Sequence, residues 1–184
     1  MNNDLSGDLL AAVSSLRSNK PVILRTDTIY GIIALASSRA GVEAVYAAKN
    51  RDPKKQCIVL GSDPSSVGEY SSTVANYSAT NQPPTSVIVP ATGEPEWLLR
   101  DGDTIAYRVT KNSFLVELIN RVGPVIAPSA NPEGSPPAAN VAQARSYFGS
   151  KVGCYVDGGE VPSTVHASRI IEVLASGEVR EVRV

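Results

Sequence analysis

The chain has 184 residues, 42% hydrophobic, 19% charged and 5% aromatic, with a formal net charge of -1. That suits one medium domain over residues 1–184 with an aliphatic core, and it excludes a protein whose bulk charge attracts nucleic acid. Two cysteines without a Cys-x-x-Cys pair, a single histidine and no long apolar window argue against a zinc site and against a membrane-spanning helix.

The polar start, Met1 to Asp8, lacks a basic stretch followed by an apolar one, so a cytoplasmic protein is expected. Cys57 and Cys154 each adjoin an apolar run and read as free buried thiols in a reducing compartment. Leu5, Leu9, Leu10, Val13 and Leu16 recur at helical spacing and predict an opening amphipathic helix ending near Asn19. Val22 to Leu24 predicts a buried strand, Ala40 to Ala48 a helix, and Ile58 to Leu60 a second strand. Asp63 and Pro64 resemble the cap and first turn of another helix. Ser71 to Thr85 is polar and reads as a loop with some helix.

Val87 to Val89 predicts a third strand and Thr104 to Val109 a fourth. On this fourth strand Thr104, Ala106 and Arg108 share one face, and Ile105, Tyr107 and Val109 share the other. A helix over Ser113 to Val122, stopped by Gly123-Pro124, precedes a fifth strand at Val125 to Ala127. A helix capped by Asn140 runs to Phe148, and strands at 152–156, 169–174 and 179–184 follow. The alternation predicts a mixed, twisted sheet with helices packed on it.

Five polar constellations stand out. Lys49, Arg51, Lys54 and Lys55 crowd four cations around Asp52-Pro53. If the segment runs extended, Lys49, Arg51 and Lys55 point the same way. It reads either as a solvated basic turn or as a site where a polyanion relieves the repulsion. Ser129 and Asn131 follow a buried strand, as an ordinary turn or as nucleotide-binding hydrogen-bond groups. Asp157-Gly158-Gly159 with Ser163 and Thr164 is a weaker anion signal, because no P-loop lysine follows. Thr26-Asp27-Thr28-Ile29-Tyr30-Gly31 ends a strand and reads as a cap and turn or as a hydroxyl-bearing site. Arg108, among apolar strand neighbours, needs an anionic partner, either a protein carboxylate or a substrate's. His166 has no partner that would make it a general base.

The order of these motifs resembles the YrdC/TsaC family of threonylcarbamoyl-adenylate synthases, in its short single-domain form. The series runs Thr-Asp-Thr-Ile-Tyr-Gly, Lys49-x-Arg51 with Lys55, Tyr107-Arg108-Val109, Ser129-x-Asn131, and Asp157-Gly-Gly before Pro162-Ser-Thr-Val. The resemblance implies an α/β fold, a twisted open mixed sheet with flanking helices around a positively charged cavity. It also implies a reaction in which ATP, L-threonine and bicarbonate yield threonylcarbamoyl-AMP and pyrophosphate. The product would feed threonylcarbamoyladenosine modification of tRNA through partner proteins, with RNA binding a further expectation.

By the same resemblance Lys49, Arg51 and Lys55 are catalytic, and Arg51, Lys55, Thr104, Ser129, Asn131 and Arg180 bind ATP. Thr28, Arg108 and Ser163 hold threonine, and Mg2+ accompanies the triphosphate without protein ligands. Departures from the family pattern stand at Arg25, Asp52, Leu60, Gln82 to Ser86 and His166-Ala167. They leave open a paralogue acting in carbamoyl transfer, told apart by its independence of L-threonine. A non-catalytic RNA-binding protein is also open, told apart by salt-sensitive binding without ATP turnover.

Overall fold

A computed structural model of the chain describes residues 2–65, 70–79 and 83–183. Alternation along its central strands decides the architecture. On β1 (Val22–Arg25), Val22 and Leu24 enter one apolar cluster and Ile23 enters another. On β2 (Tyr30–Leu35), Ile33 joins the first cluster, while Tyr30, Ile32 and Ala34 join the second. The same division separates Leu60 from Val59 on β3 (Val59–Gly61) and Val125 from Ile126 on β6 (Val125–Ile126). A strand apolar on both faces must be covered on both.

Helices supply the cover. Leu9, Ala12, Val13 and Leu16 of α1 (Asn2–Arg17) and Leu115, Leu118 and Ile119 of α5 (Ser113–Val122) close the first face. Val42, Val45, Tyr46 and Ala48 of α2 (Arg39–Lys49) join the second cluster, with Ala144 and Phe148 of α6 (Val141–Phe148). Asn140 caps α6 as expected, accepting from the Gln143 N–H, and Asn112 caps α5 in the same way, accepting from the Leu115 N–H. The side chain of Leu5, counted in the predicted helix, lies outside the described residues.

Between these, α3 (Ser71–Val74), a π-turn at Ala75–Ala79 and α4 (Glu96–Leu99) are short. The remaining strands are β4 (Thr85–Pro90), β5 (Thr104–Val109), β7 (Cys154–Tyr155), β8 (Arg169–Val173) and β9 (Val179–Arg183). The nine strands lie in the order β7-β1-β2-β6-β3-β5-β4-β8-β9. Parallel pairs (β7 with β1, β3 with β5, β4 with β8) mix with antiparallel ones, so the sheet is the mixed open one expected.

Several expectations change. Tyr30–Leu35 is a strand, and Thr26 to Ile29 is the hairpin turn before it, closed by Thr26 N–H donating to Ile29 O at 3.1 Å. Gly31 therefore lies within β2 opposite Leu24 and makes no bend. The helix expected somewhere in the polar stretch from Ser71 to Thr85 occupies Ser71 to Ala79. Asp63 accepts from the Ser65 N–H at 2.8 Å, as a cap does, but the helix expected there runs into residues 66–69, outside those described. Gln82 lies outside them too. Both cysteines are free, Cys57 buried and Cys154 half-buried. Among the described residues no helix is long and apolar enough to cross a membrane.

Candidate functional site

The hairpin turn, the end of β5 and the loop after β6 converge on one cavity of about 300 Å3. Thr28, Gln56, Ser129, Arg51, Arg108 and Arg183 are among its lining residues. Three of these carry guanidinium groups, and no carboxylate is in the lining. A larger cavity, about 690 Å3, adjoins it across Thr28 and Ala167 and is edged by Lys111, His166 and Arg169.

Arg108 reaches the cavity because β5 alternates: Ile105, Tyr107 and Val109 pack in the second core cluster, leaving Arg108 to the other face. Its partner is a protein carboxylate. Nη2 donates to Asp27 Oδ1 at 3.3 Å, and Thr110 Oγ donates to the same oxygen at 3.0 Å. Only 4% of Arg108 is exposed, and its Nε has no hydrogen-bond partner. Burial pulls its pKa down, and Asp27 opposes that pull. Thr26 and Thr28 are buried in the turn, with their hydroxyls 3.1 Å apart.

The basic segment does not run extended. Asn50 caps α2 in the left-handed conformation, and Asp52 Oδ1 accepts from the Lys54 N–H at 2.9 Å in a tight turn. The three cations consequently go three ways. Lys49 turns inward, 2% exposed, and its ammonium donates to Ser129 O and Asn131 O at 2.5 Å each. Burial, helped by the Arg51 charge, pushes its pKa down to about 8. Arg51 faces the cavity, braced by donating to Lys55 O at 3.1 Å and Gln56 O at 2.8 Å. Lys55 stays exposed and pairs with Glu133.

Glu133 was not singled out in the sequence, yet it joins the two motifs. Its carboxylate accepts from the Asp52 N–H at 2.6 Å and from Lys55, and its own N–H donates to Lys49 O at 2.8 Å. These bonds hold its carboxyl below the usual range. Asn131 donates to Pro132 O at 3.0 Å and Ser135 O at 2.7 Å, while its Oδ1 is buried without a partner. Gln56 fixes the cavity floor by donating to Leu99 O at 2.6 Å and Thr104 O at 2.7 Å. Gln56 gives no local signal, since its partner Leu99 is 43 residues away, and Asp27 reads locally only as part of a cap and turn because Arg108 is 81 residues away.

The cavity lining does not include every residue expected: Lys49, Lys55, Thr104, Asn131, Ser163 and Arg180 are outside it. Thr104, at the far end of β5, contributes only its carbonyl, to Gln56. Ser163 sits in an exposed turn closed by Val165 N–H donating to Pro162 O at 2.9 Å. Arg180 is on the exposed edge strand and donates to Glu178 at 3.0 Å. Arg183, three residues on, lines the cavity instead. The Asp157-Gly158-Gly159 loop is pinned by Tyr30, whose hydroxyl donates to Gly159 O at 2.8 Å and accepts from the Gly158 N–H at 2.9 Å.

The lining does not fit a magnesium ion held by the protein. It offers hydroxyls and guanidiniums but no carboxylate, and no cluster of three metal-ligating side chains occurs among the described residues.

Comparison with known proteins bears on the family and the fold. A putative threonylcarbamoyl-AMP synthase of Mycobacterium leprae is 32% identical over 181 residues, covering 95% of this chain and 81% of that protein. A threonylcarbamoyl-AMP synthase of Escherichia coli O1:K1 is 28% identical, covering 97% of this chain and 98% of its own length. P. abyssi Sua5, solved in complex with L-threonine, superposes with a TM-score of 0.79 at 25% identity over 89% of this chain. The chain spans about half of that protein, 50% of its length. A family model described as Sua5/YciO/YrdC, telomere recombination, matches residues 14–184, and the chain belongs to that family.

Proposed function

We propose that the chain is a threonylcarbamoyl-AMP synthase. The threonine amine takes up bicarbonate with loss of water, giving an N-carboxylate. An oxygen of that carboxylate attacks the α-phosphorus of ATP, and pyrophosphate leaves. Arg51, which lines the cavity, is assigned to the nucleotide, where it would offset phosphate charge as the bond to pyrophosphate breaks. Lys55 and Glu133 fix the turn that presents Arg51. Ser129 and Asn131 contact the nucleotide on a loop that Lys49 holds from below. Thr28 and Arg108 receive threonine, Arg108 through the donors that Asp27 leaves free. Magnesium enters as the complex of the triphosphate.

The observation that carries this reading is the buried Arg108, facing a small hydroxyl-lined cavity with Nε unpartnered. The names of the Mycobacterium leprae and Escherichia coli relatives support the same reaction. The product is an activated carbamoyl donor, so cytoplasmic partner proteins would transfer its threonylcarbamoyl group to tRNA, with the chain itself in contact with RNA.

Purified protein incubated with ATP, magnesium, bicarbonate and L-threonine should form threonylcarbamoyl-AMP and pyrophosphate, read by mass spectrometry. Formation should need threonine and should fail in Arg51→Ala and Arg108→Ala. ATP turnover that ignores threonine would overturn the proposal in favour of carbamoyl transfer from another donor.

A further inference from the structure

Two guanidinium groups share the ring of Tyr46. The Cζ of Arg51, which lines the cavity, lies 5.7 Å from the ring centroid, and the Cζ of Arg100 lies 3.8 Å from it. Both distances are within reach of a cation–π contact. The Tyr46 hydroxyl acts on the same arginine from its other end. It donates to Lys55 O at 2.7 Å, the carbonyl that also accepts from Arg51 Nε at 3.1 Å, and it accepts from Cys57 Sγ at 3.4 Å. Burial drives the Tyr46 pKa well above its ordinary value, so the hydroxyl stays a donor and the ring stays neutral.

Arg100 does not belong to the cavity. It lines a surface depression of about 410 Å3, with Lys54 and Trp97, that shares no lining residue with the cavity. Its side chain is nevertheless only 10% exposed, and its Nε and Nη2 are buried without a hydrogen-bond partner. Buried donors left unpaired are costly, and the electron-rich face of Tyr46 is what offsets that cost here. Nη1 has an acceptor, Glu43 Oε1 at 2.9 Å. Glu43 and Tyr46 lie one turn apart on α2, so the helix offers Arg100 a carboxylate and a ring on one face. The backbone bends to reach them: Arg100 and Asp101, consecutive and neither of them glycine, have φ of 51° and 66°. Strain of that kind persists only where the surrounding contacts over-determine it.

The consequence falls on Arg51. Its two bonded acceptors, Lys55 O and Gln56 O, belong to the turn that follows it, so they hold the guanidinium only as firmly as that turn is held. Two anchors do this. Gln56 is tied to Leu99 O and Thr104 O, and Lys55 O is tied to the Tyr46 hydroxyl. Leu99 directly precedes Arg100, so the end of α4 braces the turn through Gln56 and braces the Tyr46 ring through Arg100.

We propose that Tyr46 and Arg100 are positioning residues for Arg51: Arg100, outside the cavity, clamps the Tyr46 ring, and Tyr46 fixes the guanidinium that Arg51 presents to the substrate anion. The identity of that anion, the ATP phosphates, rests on the synthase reading. In steady-state assays Arg100→Met should lower kcat/KM for ATP about threefold to thirtyfold, the range of one cation–π contact, and leave the KM for L-threonine within about twofold. Tyr46→Leu should lose at least as much. Tyr46→Phe keeps the ring and gives up only the hydroxyl, so it should recover part of the loss. A merely structural Arg100 would lower the melting temperature without this split between the two substrates.

Spectroscopy separates the clamp from the reaction. In protein labelled with 15N-arginine, the Arg51 Nε–H signal, assigned through Arg51→Lys, should carry a ring-current shift and exchange slowly with solvent. Arg100→Met and Tyr46→Leu should move that signal and speed its exchange several-fold, whereas Arg121→Ala, which removes an exposed ion pair with Glu117, should leave it in place. An Arg51 signal unmoved in both variants would overturn the proposal whatever the chemistry. An unchanged kcat/KM for ATP in Arg100→Met, or equal rises in the KM for both substrates, would overturn the positioning role. A moved signal in a protein whose wild type makes no threonine-dependent adenylate would uphold the clamp and overturn only the identity of the anion.

Discussion

Asp27→Ala strands a buried charge, and its cost follows from the geometry. Among the described residues Asp27 is the one carboxylate bonded to Arg108, and it also accepts from Thr110. The side chains of Arg108 and Asp27 are 5% and 12% exposed. Removing one member of such a pair is far more destabilising than replacing both, because the remaining guanidinium keeps its desolvation penalty without compensation. The general range for breaking a buried pair is about 3–5 kcal/mol. Arg108 borders a cavity that water enters, so a loss near the lower end, about 3 kcal/mol, is expected. For a chain of this length that lowers Tm by roughly 6–12 °C. Urea denaturation at neutral pH measures it, with the double variant Asp27→Ala/Arg108→Met as the decisive companion. The double variant should be more stable than Asp27→Ala alone, since it removes the stranded charge. A loss under about 1 kcal/mol, the size of an exposed ion pair, would refute the argument, as would strict additivity of the two single changes.

Other outcomes follow from the same contacts. Glu133→Gln unfastens the basic turn from the Ser129 loop, so the KM for ATP should rise several-fold while the melting temperature stays nearly unchanged, checked by initial rates and calorimetry. Gly158→Ala would bring its Cβ within 2.5 Å of Arg25 Cβ, and a clash of that kind costs about 1–3 kcal/mol in urea denaturation, a loss that should persist when Arg25→Ala is added because alanine keeps that Cβ. Lys49 titrates at about 8 in the fold against about 10.4 unfolded, so between those values the unfolded chain binds a proton that the native chain lacks. Wild-type stability, measured against Lys49→Met, should therefore rise as pH goes from 8 to 10.4, and a gap that stays constant between pH 7 and pH 10 would contradict the burial of the ammonium.

Which parts of this molecule could be read from the sequence depends on how local their causes are. Helix α5 matches its predicted bounds because its start and stop lie within its own residues, an Asn112 side chain at one end and Gly123-Pro124 at the other. Strand β5 matches too, since alternation over six residues declares both the oily face and the one that carries Arg108. Strand β2 gave no such signal. It is apolar on both faces and its hairpin turn, Thr26 to Ile29, has no Asn-Gly or Asp-Gly pair. The site divides along the same line. The motifs that supply it are visible one by one, but the direction in which each side chain points is set by distant parts of the chain. Lys49 turns under Ser129 because carbonyls 80 and 82 residues on are there to accept its protons. Lys55 leaves the cavity because Asp52 closes a turn and Glu133 meets it outside. On β9, Arg180 and Arg183 look equivalent as letters, but a register shift between Ile171 and Ile170 sets Arg183 opposite Ile170, and of the two only Arg183 lines the cavity. Function in this fold is therefore tuned less by the identity of the cations than by the turns and bulges that aim them.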